Sequence, residues 1–183
     1  MANDVSREPP VNALVQAGQL SEAQALWRLH CPDAGTGLVA DGALAKVRPA
    51  SARTNFEWDM VGSSDIGLVL VPGVAPGSQA VEMHNGASFT RIVLRQMLVL
   101  PPGSYRLNWT AETSAGKPSA QIVAAIGCMP EAASPLLARS VSGSAGWGAE
   151  VNIGAECPAH WLVFSLQPGA DDVKLSQIRL TKL

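Results

Sequence analysis

The side chains best suited to bind a flat ligand are the five tryptophans, because an indole ring offers a large planar apolar surface. Trp109 and Trp161 share the parity of the apolar residues in their predicted strands, which indicates core positions. Trp27 is expected to pack a helix against the rest of the chain. Trp58 and Trp147 remain as candidate platforms for a sugar ring. The small residues around Trp147 would either expose it or let it close one end of the fold, and we favour the second.

A second candidate site is polar. Arg95, Arg106, Asn108 and Glu112 alternate with apolar residues in two predicted neighbouring strands, so they are expected on one common face. With Met97 between them, they could form a shallow site for a polyol or a peptide. The alternative is a solvent-exposed face that residues 10–30 partly cover, and we favour that simpler interpretation.

Catalytic and metal-binding patterns are weak. His30, His84 and His160 are far apart in the sequence and have no motif context. No cluster of cysteine and histidine has the spacing of metal ligands. We therefore expect no metal, no cofactor and no enzymatic activity. A cleft that held a histidine within hydrogen-bond reach of a carboxylate would change that expectation.

Three cysteines, Cys31, Cys128 and Cys157, allow at most one internal disulfide. Cys128 and Cys157 share the inward parity of nearby apolar residues, so the two could meet in the core. A disulfide between them would leave Cys31 as the remaining thiol and would favour a periplasmic or cell-surface location. Two reduced thiols would serve almost as well as small buried apolar groups. The sequence leaves both alternatives open.

Composition narrows the class of protein. Hydrophobic residues make up 47% of the 183 residues and charged residues 15%, which favours a substantial core over disorder. The formal net charge is −2 and the basic residues are scattered, so we expect no nucleic-acid partner. No apolar run reaches the roughly 18 residues of a membrane helix, so we expect no membrane insertion. The first ten residues lack the apolar segment of a signal peptide.

The period of the apolar residues divides the chain into three parts. Residues 1–9 are predicted to be a disordered tail. Residues 10–36 predict a short helical hairpin broken at Gly18, with a capping-box start at Ser21 and a stop at Pro32. Residues 37–183 have a period of two between Gly/Pro-rich turns, which predicts a mainly β domain, an antiparallel β-sandwich of the jelly-roll kind. Its first strands are expected near 37–44 and 55–60.

The most specific structural prediction concerns residues 89–112. Pairing of Leu100 with Tyr105 would make a hairpin in which both strands turn their apolar residues to one face. That face would carry Leu94, Leu98, Leu100, Tyr105, Leu107 and Trp109. The opposite face, which includes Met97 and Val99, is more apolar than an exposed surface requires, so we expect something to cover it.

The last predicted strand, near 172–182, changes phase. Val173 and Leu175 share one parity, whereas Ile178 and Leu180 share the other. One inserted residue near Ser176–Gln177, a β-bulge, would keep all four side chains inward.

Several short motifs resemble those of jelly-roll carbohydrate-binding modules. They are Leu38-Val39-Ala40-Asp41-Gly42, Asn55-Phe56-Glu57-Trp58, the segment from Arg95 to Leu107, and Trp147 followed by Val151, Ile153 and Cys157. The residues from Leu14 to Trp27 are similar to the end of a tetratricopeptide-type repeat. Together these motifs resemble the C-terminal module of a bacterial tetratricopeptide-repeat protein.

That resemblance implies a non-catalytic module that binds carbohydrate on a cell surface or on a secreted polysaccharide. The candidate ligand-binding residues are Trp58, Trp147, Arg95, Arg106, Asn108 and Glu112. The alternative is a structural or protein-interaction sandwich that packs on upstream helical repeats and has no sugar ligand.

Overall fold

The computed structural model describes residues 8–31, 35–47, 54–128, 134–136, 138–140, 145–169 and 171–183. Most of the predicted tail lies outside these residues. The helices are α1 (Glu8–Gln16) and α2 (Leu20–His30). The strands are β1 (Asp59–Met60), β2 (Ile66–Pro72), β3 (Gln79–Asn85), β4 (Arg91–Leu98), β5 (Gly103–Thr113), β6 (Ile122–Cys128), β7 (Ser134–Pro135), β8 (Arg139–Ser140), β9 (Gly146–Ile153), β10 (His160–Leu166) and β11 (Val173–Lys182).

The strands form two antiparallel sheets that enclose one hydrophobic core. The five-stranded sheet has the order β1-β4-β10-β6-β7, and the six-stranded sheet has the order β2-β3-β11-β5-β9-β8. Phe164 of β10 lies in this core and is fully buried. Its ring centroid lies 6.1 Å from that of Trp58 and 5.9 Å from that of Trp109. The predicted β-sandwich and the core position of Trp109 are confirmed.

The predicted pairing of residues 89–100 with 104–112 is wrong. β4 lies in the five-stranded sheet between β1 and β10, whereas β5 lies in the six-stranded sheet between β11 and β9. The residues between the two strands therefore cross from one sheet to the other. The predicted inner-face set is nevertheless at most 5% exposed: Leu94, Leu98, Leu100, Tyr105, Leu107 and Trp109. Strands that face each other across a core bury the same alternate residues as strands that pair side by side, so the period could not distinguish the two arrangements.

The predicted β-bulge in the last strand is confirmed. The register of β11 against β5 shifts between Ser176 and Arg179, and Gln177 has a positive φ of 54°. The four apolar residues on either side of the shift are at most 4% exposed: Val173, Leu175, Ile178 and Leu180. One extra residue therefore restores the inward phase of the strand.

The first predicted strand is wrong, because residues 37–44 form turns instead. Asp41 and Leu44 have φ values of 45° and 56°, in the left-handed region. Gly42 lies against β11, where the Ile178 backbone N–H donates to the Gly42 carbonyl at 2.8 Å. A Cβ at residue 42 would lie 2.0 Å from the Ile178 carbonyl oxygen. The Asp-Gly pair is therefore a close backbone contact with the last strand, and the next predicted strand is reduced to Asp59–Met60.

The helical hairpin is confirmed, with Gly18 between the helices at a φ of 74°. The capping prediction is wrong, because α2 begins at Leu20 and its N-cap residue, Gln19, makes no side-chain cap hydrogen bond. Ser21 therefore lies within the first helical turn, two residues beyond the N-cap position.

The hairpin covers part of the outer face of the five-stranded sheet. Buried residues of the hairpin and of the sandwich together form a second hydrophobic cluster: Val11, Ala23, Trp27, Ala40, Phe56, Met97 and Ala159. The rings of Trp27 and Phe56 have centroids 5.6 Å apart. Met97, which belongs to the face expected to need a cover, is 1% exposed. The chain's own helices therefore cover this part of that face.

Cys128 and Cys157 form a disulfide, and their Cα atoms are 5.6 Å apart. Cys128 ends β6 and lies opposite His160 in the register of β10. Cys157 belongs to the connection from β9 to β10, together with the fully buried Ala159. The disulfide therefore fixes this connection, on which the helices pack, to the five-stranded sheet. Cys31 is half-buried at the end of α2 and lies outside the disulfide.

Candidate functional site

The structure divides the predicted polar site between two surfaces. Arg95 is in β4 of the five-stranded sheet, whereas Arg106, Asn108 and Glu112 are in β5 of the six-stranded sheet. Each of them alternates with core residues and therefore lies on the outer face of its own sheet. The two outer faces are on opposite sides of the sandwich, so Arg95 does not share a site with the other three residues.

The outer face of the six-stranded sheet is polar, and its charges pair with one another. Arg106 forms an ion pair with Glu150, and their side chains are 51% and 63% exposed. Lys174 Nζ lies 3.3 Å from Glu82 Oε2, and in the register it also faces Glu112. Ion pairs this exposed contribute about 0–1 kcal/mol each. This surface therefore has the character of a solvated sheet face.

Trp58 is 3% exposed and offers no ring face to a ligand. Its Nε1–H donates to the Asp41 carbonyl at 3.1 Å, and its ring contacts Phe164. The side chain therefore fastens the turn at residue 41 to the core.

Trp147 is half-buried and lies directly opposite Trp109 in the pairing of β9 with β5. Residues that face each other across neighbouring strands point to the same side of the sheet, so Trp147 shares the inner face with Trp109. It packs at the margin of the main hydrophobic cluster. Trp147 therefore lies at the edge of the core and is partly accessible to solvent.

The five-stranded sheet carries a group of side chains that the sequence did not single out as a site. On its outer face, the Arg95 guanidinium carbon lies 5.1 Å from the centroid of the Trp161 ring. Asp59 holds the guanidinium, because its Oδ2 accepts a hydrogen bond from Arg95 Nε at 2.8 Å and lies 2.8 Å from Arg95 Nη2 in an ion pair. Trp161 is half-buried beside the helical hairpin. The sheet thus presents an aromatic ring, a cation and a carboxylate side by side.

The prediction that Trp161 is a core residue is wrong. In β10 the residues that fill the core are Leu162, Phe164 and Leu166, and all three are fully buried. Trp161 has the opposite parity, so it points outward. The sequence already contained the signal for this orientation, because Leu162, Phe164 and Leu166 alternate with Trp161.

An apolar strip continues from this group along the outer face. Val163 lies beside Arg95 in the register and is 7% exposed. One row further, Ile92 and Ser165 face each other, and Ile92 is 45% exposed. From Trp161 to Ser165 the strip is about 14 Å long, at the usual rise of a strand. The strip is therefore longer than a single sugar ring, with the exposed Ile92 near one end and the buried Val163 in its middle.

Phe89 is an exposed aromatic residue that was not predicted to belong to a site. It is 52% exposed in the loop before β4, and the guanidinium carbon of Arg91 lies 4.0 Å from its ring centroid. The buried amide of Asn85 fixes this loop, because its Nδ2 donates to the carbonyls of Phe89 and Leu166 at 3.0 and 2.9 Å. Phe89 is thus a ring held in place near the Ile92 end of the strip.

One histidine meets a carboxylate, but on an open surface. His84 Nδ1 and Asp172 Oδ1 are 3.1 Å apart, and both side chains are 51% exposed. An exposed pair lacks the enclosed, water-poor surroundings that position a substrate for catalysis. Among the described residues, no three histidine, cysteine or acidic side chains are grouped as a metal site. Neither described helix is long and apolar enough to cross a membrane.

His160 gives a pH-dependent stability. It is 4% exposed beside the disulfide, its Nδ1 has no hydrogen-bond partner within the described part of the chain, and burial lowers its pKa below the usual 6.5. Above pH 6.5 the His160 imidazole is mostly neutral in both the folded and the unfolded chain. Below pH 6.5 the imidazole takes up a proton more readily in the unfolded chain than in the folded chain, because burial lowers its pKa in the fold. We therefore expect the free energy of unfolding to fall below pH 6.5, by at most about 1.4 kcal/mol per pH unit from this group. In urea titrations at pH 7, 6 and 5, His160→Gln should lose less stability than the wild type. Equal losses would contradict this assignment.

Comparison with known proteins supports the fold. No family model matches the sequence, and no curated protein matches it. A solved structure described as a CBM4 is similar, with a TM-score of 0.53, 14% identity, and coverage of 79% of this chain and 99% of that chain. TmCBM61 in complex with beta-1,4-galactotriose has a TM-score of 0.45 and 17% identity, over 69% of this chain and 88% of that one. The CBM22-1 xylan-binding domain from Paenibacillus barcinonensis Xyn10C has a TM-score of 0.43 and 11% identity, over 68% and 85%. The fold shared with the CBM4 structure is that of a carbohydrate-binding module.

Proposed function

We propose that this chain is a non-catalytic carbohydrate-binding module whose ligand lies on the outer face of the five-stranded sheet. The observation that carries the proposal is the contact of Arg95 with both Trp161 and Asp59 on this face. The fold it shares with the CBM4 structure supports the same function. The disulfide supports a periplasmic or cell-surface location, where such bonds persist.

The chemistry of this group suits a sugar. Arg95 contacts one oxygen of Asp59, Oδ2, and in the proposed complex Arg95 Nη1 donates a hydrogen bond to the ligand while Asp59 Oδ1 accepts one. A donor beside an acceptor matches two neighbouring hydroxyl groups of a pyranose. The exposed part of the Trp161 ring, with Ile92 further along the same face, offers apolar contact to the C–H face of the sugar. Because Trp161 is only half-exposed, the affinity for each sugar ring is expected to be weak.

Binding can be tested by isothermal titration calorimetry against a panel of bacterial and plant polysaccharides. We expect at least one polysaccharide to bind, and we expect Arg95→Ala and Trp161→Ala to weaken that binding by about tenfold or more, since each removes a group at the centre of the site. The matched control is Arg106→Ala, which removes the same side chain from the outer face of the other sheet. It should leave the affinity unchanged.

Two results would count against the proposal. Absence of heat with every polysaccharide would remove the sugar ligand altogether. A loss of affinity in Arg106→Ala as large as that in Arg95→Ala would move the site to the six-stranded sheet. Circular dichroism spectra of the three variants would verify that each is folded.

A second candidate function is a structural or protein-interaction module that packs on upstream helical repeats. The helical hairpin favours it, because α1 and α2 share a buried cluster with the sandwich while Leu29 of α2 is 77% exposed on the side away from Trp27. In this alternative the hairpin ends a row of helical repeats, and a preceding pair of helices covers Leu29. A chain extended by such repeats would then unfold at a higher temperature than this one, and no sugar would change the fluorescence of Trp161.

A further inference from the structure

The four edges of the two sheets differ in length. In the part of the chain that the structure describes, three of them are formed by strands of two residues each, namely β1, β7 and β8. The fourth is β2, which has seven residues, Ile66 to Pro72; within the described part of the chain the strand that pairs with it is β3, and the first residue of β2 also forms an isolated bridge with Ser63. Short edge strands are one of the ways in which proteins prevent unwanted strand pairing. The long edge at β2 is without that protection.

The composition of β2 also differs from that of an edge strand that is protected against further strand pairing. The strand reads Ile-Gly-Leu-Val-Leu-Val-Pro and contains no charged residue. Val69 points to the outer face and is 58% exposed, and the inward-facing Leu68 and Leu70 are only partly buried at the margin of the core. The side of β2 away from β3 has backbone N–H and C=O groups that a further strand could pair with. Such an edge binds an extended strand, and its apolar side chains on both faces require an apolar partner.

We propose that β2 pairs with β2 of a second copy of this chain, antiparallel and with Val69 opposite Val69. The strand is self-complementary in this register: Leu68 faces Leu70, Gly67 faces Val71 and Ile66 faces Pro72. Every pair is free of charge, and the flanking Asp65 lies opposite Gly73, so no like charges meet. Because Pro72 has no N–H and the Ile66 N–H already donates to the Ser63 carbonyl, the pairing would form about four new backbone hydrogen bonds, from the N–H groups of Leu68 and Leu70 in both copies. Leu68 and Leu70 would be covered at the same time.

This register has a geometric consequence. Residues of equal parity face each other, so the inner faces of the two copies lie on the same side of one continuous sheet. The dimer would contain a twelve-stranded sheet, six strands from each copy, with both five-stranded sheets stacked on its same side. Two identical outer faces would then point in one direction, an arrangement that favours multivalent attachment to a surface or a polymer. The dimer itself requires no ligand and does not depend on the function of those faces.

Sedimentation velocity over a range of protein concentrations, without any sugar, tests the pairing. We expect the wild type to dimerise reversibly, and we expect Val69→Lys to raise the dimer dissociation constant at least about tenfold, because two like charges would face each other at the centre of the interface. Val74→Lys is the matched control, since Val74 is 84% exposed but lies beyond the end of β2. This control should dimerise like the wild type. A wild type that stays monomeric would overturn the proposal and would leave the edge to a strand of another protein. A dimer that Val69→Lys does not weaken, or that Val74→Lys weakens equally, would overturn it too.

Cysteine cross-linking tests the register without a charged variant. In a Cys31→Ser background, Val69→Cys should form an intermolecular disulfide under mild oxidation, because opposite residues of an antiparallel pair have Cβ atoms about 4.5–5.5 Å apart. Val74→Cys in the same background should not cross-link faster than by random collision. Equal cross-linking of the two variants would contradict pairing through Val69.

Discussion

Replacement of Phe164 by alanine is expected to lower the free energy of unfolding by about 3–5 kcal/mol, the usual cost of a deleted aromatic side chain in a core. Phe164 is fully buried, and its ring contacts Trp58 from the turn-rich segment and Trp109 from the opposite sheet. Its removal would leave a cavity where three parts of the chain meet. Because domains are stable by only about 5–15 kcal/mol, the variant should be close to the limit of folding. Urea denaturation followed by tryptophan fluorescence measures the change.

The matched control is Phe89→Ala. Phe89 is 52% exposed and outside the core, so the same substitution there should cost no more than about 0.5 kcal/mol. If Phe164→Ala were as mild as this control, the two sheets would not be packed around Phe164 as described.

Removal of the disulfide should have the next largest effect. The bond closes a loop between residues 29 positions apart, Cys128 and Cys157, and a loop of that length restricts the unfolded chain by about 3.5 kcal/mol in the chain-entropy treatment. The double variant Cys128→Ser/Cys157→Ser should therefore melt about 7–14 °C below the wild type, given the usual scaling for a chain of this size. Thermal unfolding by circular dichroism would show the difference.

Reduction gives an independent control for the disulfide. Dithiothreitol should lower the melting temperature of the wild type and of Cys31→Ser by similar amounts, because Cys31 lies outside the bond. It should leave the double variant unchanged. A wild type that melts at the same temperature with and without the reductant would contradict a stabilising role for the bond.

The features that depend on the alternation of apolar and polar side chains within one strand were predicted from the sequence. The bulge at Gln177 followed from a change of parity between Leu175 and Ile178, and the inner-face residues of β4 and β5 followed from their period. Which strands pair could not be predicted in the same way. Leu94 of β4 and Leu107 of β5 would both be buried whether their strands were neighbours in one sheet or faced each other across the core. The short segment between Leu100 and Tyr105 favoured neighbouring strands, and the chain instead crosses between the sheets there.

The candidate site was harder to predict for the same reason. Arg95 was recognised as outward-facing, but its partners Asp59 and Trp161 come from β1 and β10, which are distant in sequence. Only the correct strand order brings the three together. The close contact of Gly42 with β11 could not be predicted either. It depends on the turn at residues 41–44, and these residues were predicted to form a strand.

The most direct test of the proposed function maps the bound sugar on the protein. Backbone amide shifts can be followed by ¹⁵N–¹H NMR while oligosaccharides from bacterial and plant polysaccharides are added. We predict that the shifts concentrate on the outer face of the five-stranded sheet, at residues 59, 92–97 and 161–165, together with the indole Nε1–H of Trp161. Shifts confined to residues 106–112 of the six-stranded sheet, or no shift with any oligosaccharide, would contradict the proposed site.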